Sequence, residues 1–389
     1  MNDTPFLSVV VPAKDAADTL ADTLPALTSE YPPARWELIV VVDGDDAETR
    51  AVAERYADTV LGLPGQARGP AYARNRGAEV AEGSVIVFVD ADVRVHRDAL
   101  RRISEVFLGD PHLGAVFGSY DDRPEARGLV SRYRNLLHHA VHQESAGEAE
   151  TFWAGCGAVR ATAFREVGGF DEWHFARPQI EDIELGRRLR LRGYRILLDP
   201  GIQGTHLKRW RLREVLLTDL KHRGLPWARL LLHEGWRGTR LTLNLTKQHR
   251  WSVLLAAVAV LALPVALWMG RPVVLAVGAL AAAGVVALNR SFYAVLGRRC
   301  GWIGAVVCVP LHLLHYIVGA AAMAMGWVVY SIVGPPQPPP GVAAFEEVGL
   351  KTWPPVPSRP RESVWYRYGR PRSSGRRSSG PPGTPSGGA

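Results

Sequence analysis

Residues 251–269 run without a single charged side chain, 19 positions in a row. A helix of that length rises about 28 Å, at ~1.5 Å per residue, enough to cross a hydrocarbon layer of roughly 30 Å. A second uncharged stretch, 273–288, follows a Gly270-Arg271-Pro272 turn, and a third covers the 32 residues 302–333. The third is too long for one upright helix, and Pro310 divides it. We read spans at 251–269, 273–288 and 311–333, with an interfacial piece before Pro310. Residues 1–250 alternate apolar and polar segments as a water-soluble α/β domain does. The pattern predicts a soluble head, residues 1–210, joined to an α-helical transmembrane anchor, residues 251–333.

Between them, residues 211–250 mix Leu with Lys221, Arg223, Trp227 and Arg229, a composition suited to amphipathic helices on a membrane surface. Arg237, Arg240, Lys247 and Arg250 precede the first span, and Arg290, Arg298 and Arg299 separate the second from the third, whereas only Arg271 lies on the other side. Short cytosolic loops hold the excess of basic residues. This places the head in the cytosol at an inner membrane. The Met-Asn-Asp-Thr-Pro start has neither a basic nor an apolar region, so no cleavable signal is expected. Residues 334–389, rich in Pro, Gly, Ser and Arg, are expected to be a disordered tail.

The formal net charge of +8 favours anionic partners. The basic residues are dispersed and accompany no nucleic-acid-binding motif, so nucleic acid is not expected as a partner. Three separated cysteines suggest neither a disulfide framework nor a zinc site.

Within the head, apolar runs at 7–11, 38–42, 59–61 and 85–89 read as buried strands. Helical spacing at 16–27, 47–56 and 69–80 falls between them. Alternation of this kind predicts a mixed, mostly parallel sheet with helices on both faces. Further along, 115–117 and 195–198 read as strands, and 124–141, 161–167 and 182–191 as helices. Ligands of such sheets bind at the carboxyl ends of the strands, so the polar residues after Val11, Val42 and Val89 should converge.

The strand 85–89 runs into Asp90-Ala91-Asp92. Continued strand geometry would point both carboxylates one way, and two hard oxygen donors suit Mg²⁺ or Mn²⁺ holding a phosphate. A strand-ending turn capped by Asp is the other reading of the same string.

Four stretches in order resemble glycosyltransferase family 2: Ser8-Val-Val-Val-Pro12, Val40-Val-Val-Asp43-Gly-Asp45-Asp46, Gly69-Pro-Ala-Tyr-Ala-Arg74-Asn75-Arg-Gly77, and Asp90-Ala91-Asp92, the last similar to that family's DxD motif. Ala154-Gly-Cys-Gly-Ala-Val-Arg160 with Gly168-Gly-Phe-Asp171, and Glu181-Asp182-Ile-Glu-Leu, extend the match. The resemblance implies the GT-A (nucleotide-diphospho-sugar transferase) fold, a nucleotide-sugar donor and an inverting reaction. It implies Asp182 as catalytic base with Glu181 as orienter. Pro12, Ala13, Asp43, Asp45, Arg74, Asn75, Asp90 and Ala91 would then bind the donor. Asp43 would meet the nucleobase, although Asp43-Gly44-Asp45-Asp46 departs from the commoner Asp-Asp-Gly-Ser. Asp92, with Asp90 and His206, would hold Mn²⁺ or Mg²⁺. Gly155, Cys156, Gly157, Arg209 and Trp210 fall on the acceptor side. His206-Leu-Lys208-Arg209-Trp210 is similar to the QxxRW element of processive members, with His in place of Gln.

The chemistry suits the residues independently. Displacing a nucleoside diphosphate needs charge neutralisation on the departing phosphate and a base for the incoming hydroxyl. We expect a metal-dependent hexosyltransferase acting on a lipid or lipid-linked acceptor. The alternatives are a processive polysaccharide synthase of the same family and a non-catalytic membrane receptor or scaffold.

Overall fold

The computed structural model describes residues 5–29, 34–234 and 246–334, together with the backbone of 366–369. The expected tail is otherwise outside the described residues, as are Arg237 and Arg240. The elements run β1 (Leu7–Ala13), α1 (Ala17–Thr28), β2 (Trp36–Asp43), α2 (Ala47–Ala53), β3 (Thr59–Leu63), α3 (Pro70–Val80), β4 (Val85–Val89), β5 (Val93–Val95), α4 (Ala99–Gly109) and β6 (Leu113–Tyr120). They continue with α5 (Leu129–Glu144), β7 (Gly147–Glu148), β8 (Cys156–Arg160), α6 (Ala161–Glu166), α7 (Glu181–Leu191) and β9 (Arg195–His206).

One sheet carries the head, in the order β3-β2-β1-β4-β8-β6-β9-β5. β1 pairs in parallel with β2 and β4, β2 with β3, and β6 with β9, whereas β8 runs antiparallel between β4 and β6. The backbone of β10 (Tyr366–Gly369), inside the stretch expected to be disordered, pairs antiparallel with β3. The strands are continuous apolar runs because both sheet faces are covered: Val9, Val10, Val11, Ile39, Val40, Val41, Ile86, Val87 and Phe88 are fully buried. Helix α3 lies so close to β1 that a Cβ on Gly77 would sit 2.3 Å from Val10 Cγ1. No larger residue fits there without moving the helix.

Differences from the sequence reading fall mainly after residue 90. The glycine-rich 155–157 stretch enters strand β8, because antiparallel pairing on both sides satisfies its backbone. β5 and α4 were not anticipated, although Leu100, Ile103 and Phe107 stand at helical spacing. α5 starts at Leu129, and β9 extends to His206.

Beyond the head, α8 (Leu212–Leu217), a π-helix (Thr218–Gly224) and α9 (Leu225–Glu234) form one helical stretch where a helix pair was expected. Then come α10 (Lys247–Met269), α11 (Val273–Leu288), α12 (Arg290–Val307) and α13 (Val309–Val333). Among the described residues α10 and α13 are each long and apolar enough to cross a membrane, and the α11–α12 pair adds a third crossing only if its 85° bend belongs to one span. The second expected span, 273–288, is one arm of this bent pair. At ~1.5 Å per residue α11 rises only about 24 Å, and the chain then turns back toward the head. There Phe292, Val295 and Leu296 of α12 pack with Tyr133, Leu136 and Ala140 of α5. Residues 290–299, expected as a loop, are helical because this apolar face is covered. Gly301, at φ +74°, kinks α12 where the interfacial piece was placed.

Candidate active site

The chain leaves β1 toward β2 and β3 on one side and returns to β4 on the other. The carboxyl ends of β1 and β4 thus diverge into a crevice, the usual ligand position in such sheets. Pro12 and Ala13 close β1, Asp43 closes β2, and Asp90, Ala91 and Asp92 follow β4. This convergence was expected. Asp43 is buried and its carboxylate accepts from the backbone N–H of Arg68 at 3.0 Å and of Gly69 at 2.8 Å. Its first task is to hold the loop into α3, with the remaining lone pairs at the crevice floor. Gly69 sits at φ +99°, where a Cβ would meet the Ala176 carbonyl at 2.4 Å. Exposed Asp45 accepts from Gly65 N, and Asp46 caps α2 through Thr49 N.

Arg74 is 5% exposed and donates to Asp90 Oδ1 at 2.7 Å and to Glu181 Oε1 at 2.9 Å. One guanidinium thereby ties the turn after β4 to the first turn of α7. Burial disfavours its charge, but the two carboxylates outweigh that and raise its pKa. Arg74 and Asn75 were expected to reach the ribose or diphosphate, and both are committed to protein. Asn75 donates to the Phe170 carbonyl and Glu172 and accepts from Phe170 N, so it clamps the loop before α7.

The expectation that Asp90 and Asp92 share a direction also needs correction. The strand ends at Val89, and a turn replaces the two-residue alternation. Asp90 turns to Arg74, whereas Asp92 Oδ2 lies 3.5 Å from His206 Nε2. Among the described residues no three His, Cys, Asp or Glu side chains form a ready metal site. Asp90 stands apart from the three-ligand set because Arg74 holds it. Asp92 and His206 nevertheless make a fitting pair. His206 is buried, stacks on Tyr120 at 4.3 Å, and places Nδ1 2.6 Å from Asn135 Oδ1. With Nδ1–H donating there, Nε2 faces the Asp92 carboxylate, an arrangement that suits a proton or a cation between them. Burial pushes the Asp92 carboxyl up, but the hydrogen bond and charge of His206 and the nearby Lys208 outweigh it, leaving it below the usual carboxylate value.

Asp182, in the first turn of α7, opens onto a cavity of about 870 Å³ between the head and helices α9, α10 and α13. Phe152, Trp153, Trp227, Leu231, Leu254 and Trp327 give it a mostly apolar wall. Glu181 is saturated by Arg74 and by Gln179 N at 2.9 Å. Asp182 is not: Oδ1 accepts from Ile183 N at 2.8 Å, and Oδ2 has only a long 3.4 Å contact to Ala154 N. Burial, and then the neighbouring Glu181 charge, push its carboxyl up to about 6.

The other acceptor-side residues fare differently. Cys156 is fully buried in the sheet core. Gly155 and Gly157 leave room for Trp153, whose ring would lie 2.4 Å from a Cβ on Gly155 and whose carbonyl would lie 2.3 Å from one on Gly157. Trp210 is packed beneath Lys208, 4.3 Å above its ring, and exposed Arg209 does not line the cavity. What the sequence reading missed is α5: His138 and His142 face the cavity beside Trp153, and His142 Nδ1 donates to the Gly118 carbonyl. Burial holds both imidazoles below their ordinary pKa, His142 at about 4. The spacing Asn135, His138, His142 on one helical face was the available signal.

A model of glycosyl transferase family 2 matches residues 8–168. The probable glycosyltransferase YdaM of Bacillus subtilis is 26% identical over 214 residues, 51% of this chain and 50% of that protein. Glycosyltransferase AglE of Haloferax volcanii is 31% identical over 211 residues, 52% of this chain and 67% of that protein. A poly-beta-1,6-N-acetyl-D-glucosamine synthase of Staphylococcus aureus is 30% identical over 193 residues, 47% of this chain and 45% of that protein. The match thus spans about half the length of the first and third of these relatives.

Proposed function

The chain belongs to glycosyl transferase family 2, and we propose that it moves a sugar, with inversion, from a nucleoside-diphosphate donor to a lipid or lipid-linked acceptor at the cytosolic face of a membrane. The observation that carries the lipid acceptor is the cavity: an apolar slot walled by α9, α10 and α13 ends at Asp182, the carboxylate with an oxygen to spare. A small soluble acceptor would need no such slot.

The donor lies in the crevice between β1 and β4, with its diphosphate toward Asp92. Asp92 and His206 would hold a divalent ion, which when bound neutralises charge on the departing phosphate. Asp182 Oδ2 takes the proton of the acceptor hydroxyl as its oxygen attacks the anomeric carbon. Arg74 fixes Glu181, and the Glu181 charge keeps Asp182 more basic than a free carboxylate. Trp153 and His138 wall the reacting end from water.

The test incubates the purified full chain in detergent with a panel of nucleotide sugars, Mn²⁺ and a membrane-lipid extract. Labelled sugar is expected in the organic phase for one donor. Label appearing only as free sugar or in water-soluble product overturns the lipid acceptor. The length of any saccharide formed separates single transfer from the chain extension suggested by the relative named as a polysaccharide synthase.

A further inference from the structure

Three arginines and two aspartates line the cavity: Arg134, Arg223, Arg250, Asp182 and Asp219. Asp219 is fully used. Arg134 donates to it at 2.7 and 3.0 Å, and His315 Nδ1 of α13 lies 3.3 Å away. Arg223 differs from its neighbours, because among the described residues its guanidinium has no hydrogen bond or ion pair. It stays exposed while lining the same cavity as Asp182.

The way Arg223 is held is unusual. It sits in the π-helix, a form rare in proteins and concentrated at functional sites. The next residue, Gly224, packs so tightly on α13 that a Cβ there would lie 2.5 Å from the Ala322 Cβ. The seat of Arg223 is therefore set by a close contact with a candidate membrane helix, and its side chain points where an apolar slot meets water. The charges of Asp182 and Asp219 reach this guanidinium but neither carboxylate is bonded to it, and its free fork suits phosphate oxygens.

Resting on the lipid-acceptor reading above, we propose that Arg223 binds a phosphate in the acceptor head group, so that the acceptor is a lipid carrying both a phosphate and a free hydroxyl. Asp182 and Arg223 divide the work. A hydroxyl needs a base, which Asp182 supplies, whereas an attacking phosphate oxygen would already be anionic and need none. The phosphate on Arg223 thus sits beside the nucleophile and is not the nucleophile itself. Its bond to the guanidinium orients the head group so that the hydroxyl reaches Asp182 Oδ2 while the acyl chain lies along Leu231, Leu254 and Trp327.

The experiment measures binding to the full chain in a neutral maltoside detergent through the fluorescence of the cavity tryptophans. A single-chain phosphatidylglycerol, the corresponding monoacylglycerol and inorganic phosphate are compared. The phosphate lipid should bind about tenfold tighter than the monoacylglycerol, the worth of one charged hydrogen-bonded contact. Arg223→Ala should bring it down to the monoacylglycerol level, and Arg223→Lys should restore part of the difference. Equal binding of the two lipids to the wild-type chain, or an unchanged preference in Arg223→Ala, overturns the role of Arg223 and leaves the lipid acceptor standing. Inorganic phosphate that binds as tightly as the phosphate lipid, displaces it, and loses this binding in Arg223→Ala assigns Arg223 to free phosphate instead. If neither lipid binds, the lipid acceptor itself falls.

Discussion

The crevice proposed for the donor and the cavity proposed for the acceptor meet at α7 and are built on opposite principles. On the crevice side the framing side chains are bonded to protein: Asp43 holds two backbone N–H groups, Asn75 clamps the Phe170 loop, and Arg74 joins Asp90 to Glu181. On the cavity side the wall is apolar and the ionisable groups that matter, Asp182 and Arg223, keep bonding capacity in reserve. A nucleotide has a fixed polar outline, so a preorganised polar frame suits it. A lipid chain offers no hydrogen bonds, so space and a few groups at its head suffice. The lesson is that saturated polar residues here mark structure, and unsaturated ones mark chemistry.

The strongest test of that contrast is Asp182→Asn. Donor affinity should be nearly unchanged while transfer falls by a factor of roughly 10² to 10⁴. The wild-type rate should show an acid limb near pH 6 that vanishes in the variant, since only the ionised carboxylate accepts a proton. Stability gives a second readout. The folded value of about 6 lies above the ordinary 3.8, so this group's contribution is fully present below 3.8 and lost as pH rises through 6. Asp182→Asn removes that loss, and at neutral pH the variant should melt no lower than the wild type. A large drop in melting temperature would make Asp182 a structural residue.

Arg74→Met should do the reverse, leaving two carboxylates without their cation and lowering stability by about 3–5 kcal/mol, as broken buried pairs do. Denaturant titration measures it, and a loss under about 1 kcal/mol would show that the crevice frame is dispensable. Asp92→Asn should lower transfer by about 10²–10³-fold and weaken donor binding, with isothermal titration of the donor analogue in Mn²⁺ and in EDTA as the check. Wild-type turnover that persists in EDTA removes the metal from Asp92 and His206. The smallest effect is expected at Arg299→Ala, which breaks the contact to Asp122 between α12 and the head. Both side chains are about one-third exposed, so the loss should be about 0.2–1 kcal/mol, readable as a small shift in chemical unfolding.

Which parts were legible in the sequence follows from how local their causes are. β1, β2 and β4 read clearly because strands buried on both faces must be apolar throughout, and α1 and α3 because their spacing repeats within a few residues. Glu181 and Asp182 stand in the first turn of α7, where the helix read over 182–191 put its start. Arg74 was found but given the wrong partner, since nothing local says that Asp90 and Glu181, 91 residues apart in number, approach one guanidinium. The turn at Asp90 likewise sent two carboxylates apart where strand geometry would have joined them. The first part of α12, 290–299, was taken for a loop because the surface that covers its apolar face, on α5, lies some 150 residues earlier.

The sequence by itself determined the parallel strands, the polar residues at their carboxyl ends and the two long, mostly apolar helices, because a strand covered on both faces, or a helix fit to cross a membrane, is apolar along nearly its whole length. Only the tertiary structure decided which of those polar residues are spent and which are left over. It bonded Asn75 and Arg74 into the frame, moved Cys156 into the core, and brought Arg223 and Asp182 to one cavity. Hydrogen bonds and ion pairs between distant segments depend on which atoms meet, and no periodicity along a chain records that meeting.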